Sequence, residues 1–248
     1  MKTGNDAADR LFADDAGHLV DFRFDERVAA VFPDMIRRSV PGYEDVVRLT
    51  GLLAAAHARP GTRIYDLGCS LGAGLAAVRR CLEHADVELI GIDNAPAMLE
   101  RCRTLLEAEP EATPPVRLEC RDIESVEMDK ASVVILNYTL QFVEPSRRLS
   151  LLQRIRNGLV EGGVLLLSEK VFHVNDRTDA FMSAMHAAFK RANGYSETEI
   201  ARKRAALERV LQPDPPELHE ERLRMAGFGR TEVWHRCLNF QSWIAFRE

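Results

Sequence analysis

Apolar residues in this chain follow two rhythms. From Gly61 onward, short runs rich in β-branched residues alternate with longer segments whose apolar positions recur at helical spacing. Such alternation marks β-α-β units feeding a parallel sheet. The runs Arg63 to Leu67, Val87 to Ile92, Val116 to Cys120, Ser132 to Tyr138 and Val164 to Ser168 predict strands, and Leu71 to His84, Pro96 to Glu109 and Pro145 to Leu159 predict the helices between them. Val133, Val134, Ile135 and Leu136 stand in a row, which suits a strand buried on both faces. In the third of these helices Leu149, Leu152, Ile155 and Leu159 share one stripe, and Gly162-Gly163 is expected to close it.

After the fifth strand the pattern changes. Thr178 to Asn193 and Ser196 to Leu211 predict two long helices with no strand between them, an insertion that ends at Pro213, Pro215 and Pro216. A last helix, Glu217 to Ala226, stops at Gly227, and two strand-like runs, Thr231 to Arg236 and Leu238 to Phe246, complete the chain. We therefore divide it into a helical N-terminal cap over 1–60, which includes the helical run Tyr43 to Ala58, and an α/β Rossmann-like domain over 61–248 with a helical lid at 177–212.

Composition narrows the choice of partner. The 248 residues carry 33 Lys plus Arg against 38 Asp plus Glu, a net charge of -5, which disfavours direct nucleic-acid binding. A chain this long buries about three quarters of its extended surface and needs neither disulfides nor a metal to build a core. No run of about 18 apolar residues predicts a membrane span. The first residues carry Asp6, Asp9, Asp14 and Asp15 rather than a basic leader, so cytoplasmic localisation is expected. The cysteines (Cys69, Cys81, Cys102, Cys120, Cys237) are scattered, with no C-x-x-C pair to suggest a disulfide framework or a zinc site. The histidines (His18, His57, His84, His173, His186, His219, His235) also lack metal-like spacing, and no metal is expected.

Candidate chemistry gathers at the strand ends. The loop Asp66-Leu67-Gly68-Cys69-Ser70-Leu71-Gly72-Ala73-Gly74 joins the first strand to a helix, and its small residues let backbone amides approach a ligand. Such a loop can also serve only to turn the corner. Ser70 occupies the place of the second glycine of a dinucleotide fingerprint, and Asp66 would repel a pyrophosphate but welcome an ammonium group. Asp93, followed by Asn94, ends the second strand, where a carboxylate can hold a ribose diol. Asp122-Ile123 ends the third strand and could receive an adenine edge, and Asn137-Tyr138 ends the fourth. Each end-of-strand acid could equally be a helix N-cap. Cys69 has no basic neighbour in sequence to activate it, so its backbone amide is the useful group rather than its thiol.

Asp66-Leu67-Gly68-Cys69-Ser70 and Asp93 resemble the first motif and the ribose acid of the class I S-adenosylmethionine-dependent methyltransferase superfamily. That resemblance implies a mostly parallel seven-stranded sheet whose last strand is antiparallel. Longer strings, Phe24-Asp25-Glu26-Arg27-Val28-Ala29, Val31-Phe32-Pro33-Asp34-Met35-Ile36, Arg38-Ser39-Val40-Pro41-Gly42-Tyr43 and Phe189-Lys190-Arg191-Ala192-Asn193-Gly194-Tyr195-Ser196, resemble the carboxy-S-adenosyl-L-methionine synthase family from about Phe24 onward. The first 20 or so residues fall outside this resemblance and form a candidate disordered segment.

This second resemblance implies a homodimeric transferase. It would make carboxy-S-adenosylmethionine and phenylpyruvate from S-adenosylmethionine and prephenate, for a separate tRNA carboxymethyltransferase that builds 5-oxyacetyl uridine at the wobble position. It implies ligand-binding roles for Tyr43, Gly68, Cys69, Ser70, Asp93, Asn94, Asp122, Ile123, Asn137 and Arg204, with Arg204 facing the transferred carboxylate. Around Glu119 to Ile123 this chain departs from the family's pattern, and Asp122 and Ile123 rest on the Asp-Ile match alone. Read without the resemblance, Arg202, Lys203 and Arg204 would be a solvated helix face offset by Glu197, Glu199 and Glu208. Prephenate is a dianion, and Lys203, Arg202, Arg191 and Lys190 are unranked candidates for holding it. The rival readings are an ordinary small-molecule methyltransferase and a cofactor-binding accessory subunit.

Overall fold

The alternating runs become a seven-stranded sheet in the order β3-β2-β1-β4-β5-β7-β6. The computed structural model of the protein describes residues 8–13, 23–83, 86–108, 114–207 and 210–248. Its strands are β1 (Thr62–Leu67), β2 (Val87–Asp93), β3 (Val116–Cys120), β4 (Ala131–Asn137), β5 (Leu159–Lys170), β6 (Arg230–Cys237) and β7 (Phe240–Phe246). Strands β1 to β5 run parallel, and β7 is antiparallel to both of its neighbours, β5 and β6. The sheet order reverses at β1, flanked by β2 and β4. This opens a crevice beyond the carboxyl ends of those strands.

Two helices precede the sheet: α1 (Glu26–Ser39), capped by Asp25, which accepts the Val28 N–H at 3.0 Å, and α2 (Tyr43–His57). Within the sheet region lie α3 (Ala73–Cys81), α4 (Pro96–Glu107), α5 (Pro145–Gly158), α6 (Asp176–Ala192), α7 (Glu197–Leu207) and α8 (Pro216–Met225). The first of these starts later than its periodicity predicts because Gly72 sits at φ +79°, a left-handed turn that ends the ligand loop before the helix begins. The predicted ends His84, Glu109 and Leu211 are not reached: His84 and Glu109 lie outside the described residues, and α7 ends at Leu207.

One expectation fails at Gly162-Gly163. Helix α5 already ends at Gly158, where an added Cβ would lie 2.6 Å from the Met128 backbone oxygen, and both later glycines lie inside the long strand β5. Close backbone approach, rather than the glycine pair, stops that helix.

Strand β4 is buried on both faces as its apolar run requires. Val134 and Leu136 join Leu67, Ile90, Leu151, Leu152, Ile155 and Trp243 on one side, while Val133 and Ile135 join Ile64, Leu75, Val78 and Leu89 on the other. Trp234 packs at the margin of this second cluster. The N-terminal segment also contributes. Phe12 packs with Val28, Met35 and Ala206, and Asp9 is buried.

Candidate active site

The loop after β1 is shaped by its own backbone. Gly68 and Cys69 both donate their N–H groups to the Ile92 carbonyl, at 2.7 and 3.0 Å, which ties the loop to the end of β2. Gly68 has φ +77°, and a Cβ there would lie 2.4 Å from Thr139 Oγ1, so the two strand-end loops touch across the crevice. Ser70 takes the left-handed conformation at φ 52° and donates its N–H to Asp93 Oδ2 at 2.9 Å, while Asp93 Oδ1 accepts from the Ala95 N–H at 2.9 Å. Asp93 is therefore oriented by backbone groups on both sides. Burial nevertheless pushes its carboxyl up.

Asp66 lies deeper. It is 4% exposed, and its Oδ2 would sit 2.6 Å from a Cβ at position 74, so Gly74 is the space that this carboxylate fills. Burial, reinforced by the negative charge of Asp93, pushes it up to about 7. Tyr43, at the start of α2, borders the same acid: burial and the Asp66 charge both raise its phenol, and its ring stands 6.3 Å from that of Tyr138. Ser70 Oγ, Asn137 Oδ1 and Tyr138 OH are buried without a hydrogen-bond partner among the described residues. Orphaned donors and acceptors of this kind at one rim fit a polar ligand that completes them.

The lid brings cations to the same rim. Lys170 is the last residue of β5, and its cross-strand partner Phe240 meets the His186 ring of α6 at 5.2 Å. His186 Nε2 donates to the Ser39 carbonyl at 2.8 Å, and burial pushes the ring down to about 3, leaving it neutral. Lys190 follows one turn later on the same helix face. Arg204 of α7 lines an open cleft of about 510 Å³ with Phe172, His173, Asp176, Asp179 and Ser183. Burial and the positive charges of Lys203, Lys170 and Arg204 push Lys190 down to about 7, and burial with the Arg204 charge lowers Lys170. Among the described residues, none of Lys170, Lys190 and Arg204 is ion-paired or hydrogen-bonded through its side chain.

Comparison with known proteins agrees with this arrangement. A family model described as Methyltransferase domain matches residues 64–163. Carboxy-S-adenosyl-L-methionine synthase of Geobacter sp. (strain M21) is 51% identical over 239 residues, covering 96% of this chain and 98% of that protein. The protein of the same name from Shewanella pealeana is 48% identical over 243 residues, covering 98% of this chain and all of that one. The chain belongs to the carboxy-S-adenosyl-L-methionine synthase family. Solved structures show the fold: an O-methyltransferase family protein from Burkholderia thailandensis aligns with a TM-score of 0.63 at 18% identity over 90% of this chain, which spans 60% of that chain. Magnesium protoporphyrin IX methyltransferase from Synechocystis PCC 6803 aligns at 0.60 and 13% identity, covering 86% of this chain and 87% of that one. Likeness to the synthase family runs into the first 20 residues, further than the motif strings alone reach.

Within this synthase-family chain the predicted residues separate by place. Gly68, Ser70, Asp93 and Asn137 converge on the crevice, with Tyr43 beside Asp66. The Cys69 N–H, nominated to meet a ligand, is spent on the Ile92 carbonyl; its thiol points to Cys102 and is held protonated by that contact and by burial. Asn94 and Asp122 are exposed, and Asp122 Oδ1 caps the short 3-10 turn Ile123–Ser125 through the Glu124 N–H at 2.8 Å, while Ile123 is buried beneath it.

The reading of 202–204 as one solvated face is corrected at Arg202 and Lys203, while Arg204 is exposed. Lys203 is 3% exposed and donates to Ser39 Oγ at 2.8 Å, Tyr195 Oη at 3.3 Å and Asp9 Oδ2 at 3.4 Å, and Arg202 donates to the Phe12 carbonyl at 3.2 Å. Glu197 pairs with Arg191 instead, and Glu199 holds the Ser196 N–H and hydroxyl; residue 208 lies outside the described residues.

Sequence reasoning missed four residues. Thr50, from α2, accepts from Asn137 Nδ2 at 3.4 Å. Glu169 gathers the N–H groups of Thr139, Leu140 and Gln141 at 2.8–3.1 Å and so fixes the turn after β4. Thr139 and Lys170 complete the set. The acid-base pair Glu169-Lys170 was visible in sequence but was passed over because the strand was ended at Ser168. Among the described residues no group of three or more His, Cys, Asp and Glu is placed to hold a metal.

Proposed function

We propose that this chain converts S-adenosylmethionine and prephenate into carboxy-S-adenosylmethionine, phenylpyruvate and water. The observation that carries this reading is Arg204, an exposed arginine without an ion pair that lines the cleft beyond the end of β5, beside Lys170 and Lys190. A plain methyl donor carries its one carboxylate at the amino-acid end and gains nothing from positive charge facing its sulfonium methyl group. A donor bearing an added carboxylate needs a charge-assisted, two-pronged partner, which a guanidinium supplies. The relatives that this chain matches carry that product in their printed name.

The residues fit S-adenosylmethionine by their chemistry. Asp93 would take the ribose diol, Asp66 with Tyr43 the amino-acid end, and Asn137 and Ser70 would find the partners they lack within the fold. Bound there, the substrate supplies an acidified sulfonium methyl as the acceptor of the carboxyl group. The chain's part is to hold the two reactants together and keep water out. His186 is neutral and already spent on Ser39, so it is not placed to act as a base. The product is read as the substrate of a separate tRNA carboxymethyltransferase, and the acidity of this chain supports its not holding tRNA itself. A cytoplasmic homodimer is part of the same proposal.

The test is to incubate the purified protein with both substrates and weigh the nucleoside product. A gain of one carbon dioxide supports the reading. Loss of a methyl group indicates an ordinary methyltransferase, and an unchanged mass an accessory subunit. Arg204→Leu should abolish retention of the carboxylated nucleoside while leaving S-adenosylmethionine binding within about twofold, since that ligand has no carboxylate on its sulfonium methyl carbon for the guanidinium to meet.

A further inference from the structure

Lys170, Lys190 and Arg204 repel one another and form no ion pair among the described residues, although Asp179 eases the Lys170 charge, and such a cluster is costly to hold together. Lys170 is fixed by its place in the ladder, opposite Phe240. Phe240 packs on His186, and Lys190 lies four residues further along the same face of α6, so Lys190 overhangs the end of β5. Arg204 enters from α7, against Ser183 and Asp179 of that same helix face.

The carboxylates of the cleft, Asp176 and Asp179, stand in the first turn of α6, and Asp179 spends Oδ1 on the His173 N–H at 2.9 Å. Asp179 is eleven residues from Lys190, roughly 16 Å along the helix, too far to neutralise it. Of the other cations nominated from sequence, Lys203 is committed to Asp9, Arg202 to the N-terminal segment and Arg191 to Glu197. That leaves Lys190, together with Lys170, which the sequence did not nominate.

We propose that Lys170 and Lys190 form a second anion subsite beside Arg204, which recognises the retained carboxylate of a dianionic co-substrate while the arginine is reserved for the carboxylate being transferred. The assignment rests on the carboxyl-transfer reading above and makes both lysines positioning and specificity residues. The dianion's two carboxylates divide between the cations: one is the group transferred to the sulfonium carbon, which Arg204 meets, and the other stays on the departing product, held by the two lysines. Mutual repulsion in the free protein then becomes binding free energy when the anion arrives. A monocarboxylate would leave either the half-buried lysine pair or Arg204 without an anion and bind more weakly.

The test compares Lys170→Met, Lys190→Met and the double variant with the full-length wild type. Methionine keeps the length of the stem and removes the charge. Each single variant should raise the KM for prephenate about tenfold or more while kcat changes less than about threefold, as expected for a lost charge-assisted contact made equally in ground and transition states. Lys190→Arg should recover most of the loss. S-adenosylmethionine affinity by calorimetry should be unchanged.

In parallel, malonate binding to the free proteins is followed by calorimetry. It should be measurable for the wild type, lost in the double variant, and weaker above about pH 7, where Lys190, facing Lys170 on β5, Lys203 and Arg204 on α7 and His186 on its own helix, gives up its proton. An unchanged KM, or a joint loss of kcat and S-adenosylmethionine affinity, overturns the assignment. If the wild type fails to convert prephenate at all, the carboxyl-transfer reading falls by itself, and the malonate comparison still decides whether the lysines bind a dicarboxylate.

Discussion

Replacing Asp66 by Asn tests the electrostatic design of the crevice with little change of shape. The wild-type carboxyl is pushed from the ordinary 3.8 up to about 7 by burial and by Asp93. A folded-state pKa above the unfolded one means that the native chain binds the extra proton between those two values, so its stability falls as pH rises through that window. Integrating between pH 5 and pH 8, the wild type should lose about 2–3 kcal/mol from this group alone. Asp66→Asn cannot titrate and should lose nothing from that source. All other groups being common to both proteins, the stability difference between variant and wild type should move in the variant's favour by the same amount across that range.

The assay is urea unfolding of both proteins without ligand at pH 5 and pH 8, comparing the change in the midpoint at constant slope. Binding should move the other way. An ionised Asp66 is what a ligand ammonium group meets, so S-adenosylmethionine affinity of the wild type should fall below about pH 7, and the variant should bind more weakly at pH 8. A stability difference that stays flat between pH 5 and pH 8 would refute the claim that this carboxylate is held ionised at a cost for the sake of a cation.

Two further outcomes follow from the lid and the loop. Lys203→Met strands Asp9 as a lone buried charge and should destabilise the protein by about 3–5 kcal/mol, while the double change with Asp9→Asn recovers much of that loss; a thermodynamic cycle from denaturant melts measures the coupling. Gly68→Ala introduces a Cβ against Thr139 at a backbone angle that L side chains disfavour, and it should cost at least about 1–2 kcal/mol and weaken S-adenosylmethionine binding, checked by thermal melts with and without that ligand.

What the sequence disclosed and what it hid divide along one physical line. Periodicity reports which face of an element is buried, and so the succession of strands and helices in a β-α-β series, the doubly buried β4 and the two-helix insertion were all legible. Composition of the first strand-end loop, with Ser70 where a dinucleotide site needs glycine and Asp66 two residues before the loop's first glycine, was legible too, because a local backbone geometry demands those residue types at that spacing. Partnership is not periodic. Nothing along the chain shows that Lys203 reaches Asp9, 194 positions away, while its neighbour Arg204 has no acid to meet; on a helical wheel all of 202–204 look alike. The same blindness ended β5 two residues early and so missed Lys170, whose neighbour Glu169 turns inward to hold three backbone N–H groups while the lysine joins the cleft's cations. Charges inside a protein are informative by what they fail to pair with. Only the fold could show that three cations were left over at the rim where an anion is to be handled.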